Sequence, residues 1–290
     1  MKIIVQNGEV YTRSLGTGRK ALLIIHGGPD WDHSYLLNAA EILARDTRVI
    51  LFDIRGCGLS SRFDDVEEYS INKIVSDIQK VLSAHRLKSC DVLGFSFGGT
   101  VALSLLKHHP DVIERLILAS TTAYASYQAD LEAKPEYQKR NTLELRALKA
   151  YAFHEAEPIG EEPSRSLAMK SLALDVHDLS KIGVVKKVIS KIKFSSEWIK
   201  AFRKGVIGNE NFDVAYLINS TNKQLLIVHG ENDLRFPLSV AQKLHQNVPA
   251  SELVIISGAG HLAHLEKLNE WVNAVGTFLA EKAHGSEASI

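Results

Sequence analysis

Ser96 stands in Gly94-Phe95-Ser96-Phe97-Gly98-Gly99, between a strand-forming run and a run with helical spacing. A Gly-x-Ser-x-Gly sequence in that context bends the backbone sharply and lifts the serine hydroxyl above a sheet. The bend also sets Ser96 at a helix N-terminus, where free amides and the helix dipole favour developing negative charge. Ser96 is therefore a candidate nucleophile, weighed against a plain Gly-Ser turn. Other uses of these glycines fail. A phosphate-binding loop needs Lys before its Ser/Thr, and here Gly99 precedes Thr100. The dinucleotide pattern needs glycine where Ser96 stands.

A nucleophilic serine requires a general base, a carboxylate that orients the base, and an oxyanion hole. Asp233 follows Val228-His229-Gly230-Glu231-Asn232, in the loop after an expected strand, and His261 follows Ser257-Gly258-Ala259-Gly260 after the last strand. The chain order Ser…Asp…His suits this type of turn. Glu231 is a rival acid, and helix capping before Pro237 is a competing use of Asp233. His264, in the expected final helix, is a rival base. The N–H groups of Gly28, in His26-Gly27-Gly28-Pro29, and of Phe97 are the expected oxyanion donors, against a simple Gly-Pro turn. His261 and His264 have no third ligand at zinc-site spacing, so no metal is expected.

These residues need a scaffold that brings them together. Lys20 to Ile25, Arg48 to Phe52, Asp91 to Gly94 and Arg115 to Ala119 read as buried strands. Helical spacing recurs between them, as in Ile71, Ile74, Val75, Ile78, Val81 and Leu82. Strands alternating with helices imply βαβ units and a parallel sheet with both faces covered. The rhythm stops after Ser120 and resumes at Gln224, with strands at Leu225–Val228 and Leu253–Ile256, a helix at Ser239–Leu244 and a last helix over 266–282. The expected organisation is an α/β core of residues 1–120 and 221–290, carrying an all-helical insertion over 121–220. An insertion of that length is expected to be a lid or cap.

Composition narrows the partners. Of 290 residues 45% are apolar and 23% charged, the proportions of a globular domain, and 34 Lys+Arg balance 34 Asp+Glu. Without a basic surplus, nucleic-acid binding is not expected. Met1 to Val10 does not read as a signal peptide, and the longest apolar run, Ala21 to Ile25, is far short of a membrane span. A cytoplasmic protein without stable membrane association is expected, with Cys57 and Cys90 as free thiols. Lys181 to Lys204 holds eight basic residues against Glu197 alone, with Val185, Val188, Ile189 and Ile192 on one helical face. That pattern reads as a helix with its apolar side on the pocket, over a membrane-surface helix.

Together, His26-Gly27-Gly28-Pro29, Asp53-x-Arg55-Gly56-x-Gly58-x-Ser60, the Ser96 turn, Asp233 and His261 resemble the α/β-hydrolase superfamily along the whole chain. The resemblance implies an eight-stranded, mostly parallel sheet with a helical cap between the sixth and seventh core strands. It also implies a cofactor-free hydrolase that works through an acyl-serine, on a small-molecule ester, amide or short peptide. His-Gly-Gly-Pro with Asp-x-Arg-Gly-Cys-Gly looks like the proline iminopeptidase branch. Asp30 stands where that branch usually has Gly, and Phe97 where it usually has Trp. Those enzymes hold a free ammonium with cap glutamates, for which Glu132, Glu144, Glu155, Glu197 and Asp213 are candidates here. Asp30 is a further candidate for the amine, and Tyr124 and Trp198 are candidates to face Ser96. A non-catalytic small-molecule receptor on the same fold is the reading from a different class.

Overall fold

A computed structural model describes residues 1–124, 126–142, 160–206 and 214–281 of the protein. Its eight strands are β1 (Lys2–Val5), β2 (Gly8–Leu15), β3 (Ala21–Ile25), β4 (Arg48–Phe52), β5 (Cys90–Phe95), β6 (Ile113–Ala119), β7 (Leu225–Gly230) and β8 (Glu252–Ile256). They form one sheet in the order β1-β2-β4-β3-β5-β6-β7-β8. The pairs β1–β2 and β2–β4 are antiparallel and every other pair is parallel. Strands β3 to β8 fall on the apolar runs expected from the sequence, whereas β1 and β2 fall on none. Their buried side chains alternate with exposed ones along an edge ribbon, so no apolar run marks them.

The inner strands are mostly apolar because both faces are covered, with Asp91 of β5 and Arg115 of β6 paired to each other. Leu23, Ile25, Ile50, Phe52, Leu116 and Leu118 pack on one face, while Leu22, Ile24, Val49, Leu51, Ile117 and Ala119 pack on the other. The first face meets α2 (Ile71–Ala84) and α3 (Phe97–His108), and the second meets α1 (Leu37–Leu43) and α12 (Leu268–Ala280). The expected last helix is broken at Lys267, whose non-helical backbone (φ −136°, ψ 54°) separates α11 (Ala263–Glu266) from α12.

Between β6 and β7 the described residues are helical: α4 (Gln128–Glu132), α5 (described residues 135–142), α6 (Glu162–Asp175), α7 (Ile182–Ile189), α8 (Glu197–Arg203) and α9 (Val214–Thr221). No strand occurs there among the described residues. In α7, Val185 and Ile189 are buried against the second face of the core, together with Ile192 beyond its end. The apolar side of this helix therefore packs on the core, and the pocket wall is supplied by α6 instead. No helix among the described residues is long and apolar enough to cross a membrane.

Buried ion pairs tie loops to this frame. The Arg55 guanidinium donates to both Asp77 carboxylate oxygens, at 2.7 and 2.8 Å, and to Glu68 at 2.5 Å, with 1% of its side chain exposed. Asp53 accepts the backbone N–H groups of His33 and Leu59 and the His33 ring. Arg115 pairs with Asp91 and donates to the last carbonyls of α12. Removing one member of such a pair strands a buried charge, which costs about 3–5 kcal/mol. Asp77→Ala should lower the unfolding free energy by about 3 kcal/mol or more in urea titrations; a loss below about 1 kcal/mol would mean that Glu68 alone satisfies Arg55.

Candidate active site

The site sits at the carboxyl ends of β3, β5, β7 and β8. Ser96 ends β5 with φ 51° and ψ −120°, a left-handed conformation strained for any side chain but held here. Its N–H donates to Ala119 O at 2.9 Å, and its carbonyl accepts the Thr121 hydroxyl at 2.7 Å. Such a bend brings the start of α3 hard against β3. A Cβ on Gly98 would lie 2.1 Å from Ile25 O, and one on Gly27 would lie 2.6 Å from Ser96 Cβ. Only glycine permits these two approaches.

Ser96 Oγ lies 3.0 Å from His261 Nε2, and His261 Nδ1 lies 2.9 Å from Asp233 Oδ2. Asp233 is fully buried, and its Oδ1 accepts the N–H groups of Arg235 at 2.7 Å and Phe236 at 2.9 Å. Burial alone would raise this carboxyl; the His261 and His229 imidazoles and the Phe236 N–H outweigh it and hold the carboxyl below its ordinary value. Asp233 thus stays ionised with a defined acceptor edge toward His261. A hydroxyl, an imidazole and a carboxylate in one hydrogen-bonded row can pass a proton off the hydroxyl.

The rivals lie elsewhere. Glu231 faces outward and accepts from Ser257 Oγ and Gly258 N. His264 is buried among aromatic rings, with Phe95 at 4.7 Å and Trp271 at 5.8 Å, and burial pushes its imidazole down to about 3. Cys57 is buried, its thiol pushed far up by burial and bonded to Pro29 O, so it is no thiolate. Both cysteines are free.

Gly28 reaches the site in a left-handed conformation, φ +52°, and lines the cavity beside Ser96. Phe97 is the first residue of α3, where N–H groups have no partner within the helix. Two residues that sequence reasoning gave no role fix the Gly27–Gly28 loop. The His26 ring accepts Ile54 N–H at Nε2, 3.0 Å away, and the Tyr35 hydroxyl accepts Gly27 N–H at 2.7 Å. His26 heads the His-Gly-Gly-Pro motif, but its bond to Ile54 is not readable there, and Tyr35 carries no mark in the sequence.

The cavity, about 240 Å³, is walled by Trp31, Tyr35, Phe95, Phe236 and Leu262 and by Leu167, Ala168 and Ser171 of α6. Its charged residues are Asp30, Asp175 and Arg235. Arg235 and Asp175 form a two-bond ion pair, Nε–Oδ1 2.7 Å and Nη2–Oδ2 3.1 Å. Burial pushes the Asp30 carboxyl up to about 6, with the Ser164 side chain and, more weakly, Arg235 pulling the other way. Of the expected pocket residues, Asp30 is in place, whereas Tyr124 and Trp198 are not among the lining residues. Trp198 is fully buried, donates Nε1–H to Arg55 O at 3.1 Å and packs edge-on to Tyr69 and Phe97. Tyr124 accepts from Asn247 at 2.8 Å, with the Lys243 ammonium over its ring. Glu132 is exposed, and Glu197 is taken up by Arg62, Ser195 and Gly160. Glu144, Glu155 and Asp213 lie outside the described residues.

Comparison with known proteins agrees with this architecture. Residues 20–268 match the model of the alpha/beta hydrolase fold family. A proline iminopeptidase of Lactobacillus delbrueckii subsp. bulgaricus is 28% identical over 287 residues, covering 92% of this chain and 95% of that protein. A 2-hydroxymuconate semialdehyde hydrolase of Pseudomonas sp. (strain CF600) is 26% identical over 265 residues, covering 90% and 87%. An esterase from Exiguobacterium antarcticum superposes with a TM-score of 0.73 at 19% identity, over 97% of this chain and 99% of that one. The enol-lactonase from Burkholderia xenovorans LB400 gives 0.74 at 19% identity, over 97% and 100%. With its family model matched over most of its length, the chain belongs to the alpha/beta hydrolase fold family.

Proposed function

We propose that the protein is a serine hydrolase that cleaves a small carboxylic ester or amide through an acyl-serine. The observation that carries this reading is the unbroken row from Ser96 Oγ through His261 to the buried Asp233. His261 Nε2 takes the hydroxyl proton as Ser96 Oγ attacks the substrate carbonyl carbon. Asp233 holds the imidazole's orientation and stabilises the imidazolium. The N–H groups of Gly28 and Phe97 receive the oxyanion. Collapse expels the alcohol or amine with the proton from His261, and water then releases the acyl group by the same roles reversed. The helices of residues 121–220 act as the cap that closes the pocket, with α6 as its wall. A cavity of about 240 Å³ suits a small acyl group.

A second reading narrows the substrate to one with a free amine, as in an aminopeptidase acting on short peptides. It is favoured by Asp30, a carboxylate in the pocket wall whose neighbouring guanidinium is already paired with Asp175. An ammonium on the substrate would meet the charge that burial disfavours.

Two measurements follow. Ser96→Ala should cut turnover of short-chain p-nitrophenyl esters by about 10³-fold or more; wild-type turnover in this variant would remove the acyl-serine reading. For the second reading, kcat/KM on prolyl- and alanyl-p-nitroanilides is compared with that on an uncharged ester across pH 5 to 8. Only the ionised Asp30 attracts an ammonium, and its carboxyl titrates near 6. The anilide-to-ester ratio should therefore fall as pH drops through about 6, cancelling whatever protonation both substrates share. Asp30→Asn should flatten that dependence and lower the anilide kcat/KM about 10- to 100-fold, the loss of one charged hydrogen bond. An unchanged ratio in Asp30→Asn would leave the uncharged ester or amide.

A further inference from the structure

Glu266, the last residue of α11, is buried, yet its carboxylate has no place in the Ser96–His261–Asp233 row. Its Oε2 accepts Gly260 N–H at 2.7 Å, one residue before His261. Its Oε1 accepts the N–H groups of His177 at 3.0 Å and Asp178 at 2.9 Å, just past the end of α6. On the other side of His261, Leu262 N–H donates to Asp175 O at 2.9 Å. The base loop and the end of α6 are in direct contact, since a Cβ on Gly260 would lie 2.8 Å from His177 N and 2.9 Å from Asp175 O. The N–H groups of both residues flanking His261 are thus anchored at the C-terminal end of α6, one through a side chain and one through backbone.

The chemistry of the bridge needs a carboxylate. Two acceptor oxygens take N–H donors from two segments at once, whereas an amide offers one oxygen and turns donors toward whichever N–H it fails to serve. The Arg235–Asp175 pair carries the same joint to the loop that holds Asp233. Helix α6 also walls the pocket with Leu167, Ala168 and Ser171.

We propose that Glu266 is a positioning residue for His261, holding the base in line with Ser96 by locking its loop to the docked end of α6. This rests on the acyl-serine reading, and it links the wall a substrate presses against to the base that acts on it. A misplacement of about 1 Å in such a row costs on the order of 100-fold in rate, with little effect on binding.

The test measures kcat and KM separately on p-nitrophenyl acetate for Glu266→Gln and Gly260→Ala. The first removes one arm of the bridge; the second pushes the loop off α6 with Glu266 intact. Asp91→Asn, which weakens a buried ion pair away from the site, controls for loss of stability. Both test variants should lose about 10- to 100-fold in kcat with KM held within about threefold, while Asp91→Asn keeps its kcat. The low-field N–H proton resonance of the His261–Asp233 bond should broaden or vanish in Glu266→Gln and persist in Asp91→Asn. Wild-type kcat in Glu266→Gln, or an equal kcat loss in Asp91→Asn, overturns the proposal while Ser96→Ala is inactive. Full turnover in Ser96→Ala overturns the acyl-serine reading, and the proposal with it.

Discussion

The constraint on which the site depends is the left-handed backbone at Ser96, because that conformation alone raises the hydroxyl off the end of β5. A serine does not adopt φ 51° without being held. Here the holding comes from two parallel neighbours. On one side β6 supplies Ala119 O for the Ser96 N–H and Thr121 Oγ for its carbonyl. On the other, the end of β3 passes so close that Gly27 and Gly98 must lack side chains. The strain is a property of three adjoining strand ends, and the order β3-β5-β6 in the sheet brings them together.

A second consequence concerns charge. Gathering the site at buried strand ends removes water from Asp233, which by itself would favour the neutral acid. The two imidazoles and the backbone N–H groups of the 233–236 loop reverse that preference. Asp30 presents the contrast: burial acts on it in the same way, and the Ser164 side chain, its own backbone and the Arg235 charge do not outweigh it, so the carboxyl stays raised. Two carboxylates within one pocket region therefore differ in charge behaviour because their hydrogen-bond donors differ. Electrostatically, Asp233 is finished within the protein, whereas Asp30 still gains from a cation.

The sequence exposes what rests on short-range rules. Parallel strands buried on both faces leave long apolar runs, so β3 to β7 are visible; β8, the half-exposed far edge, still shows the run Leu253–Ile256, whereas the ribbon β1–β2 alternates with polar residues and is not visible. Ser96, Asp233 and His261 are each marked by a turn that their own neighbours dictate. Tyr124 and Trp198 show the limit, since helical spacing says that a side chain is apolar or aromatic but not which cavity it fills. Trp198 goes under Arg55 and against Tyr69, partners from a different part of the chain. Tyr35 and Glu266 carry no local mark, and the motif that holds His26 does not show its bond to Ile54, because what distinguishes all three is a backbone N–H contributed by another loop.

That division has a physical basis. The row from Ser96 to Asp233 is built from side chains at strand ends, and strand ends are fixed by the sheet register. What borders the row comes from the helices between β6 and β7, whose docking combines apolar contacts such as Leu172 and Ile189 with a few polar bridges and has no repeating ladder. Arg235–Asp175, Leu262–Asp175 and two of the three bonds to Glu266 converge on the C-terminal end of α6, the third tying Glu266 to Gly260. A change in α6 can therefore reshape the pocket wall and bear on the His261 loop while the sheet stays as it is. On this scaffold the pocket wall and the His261 loop meet at one helix end.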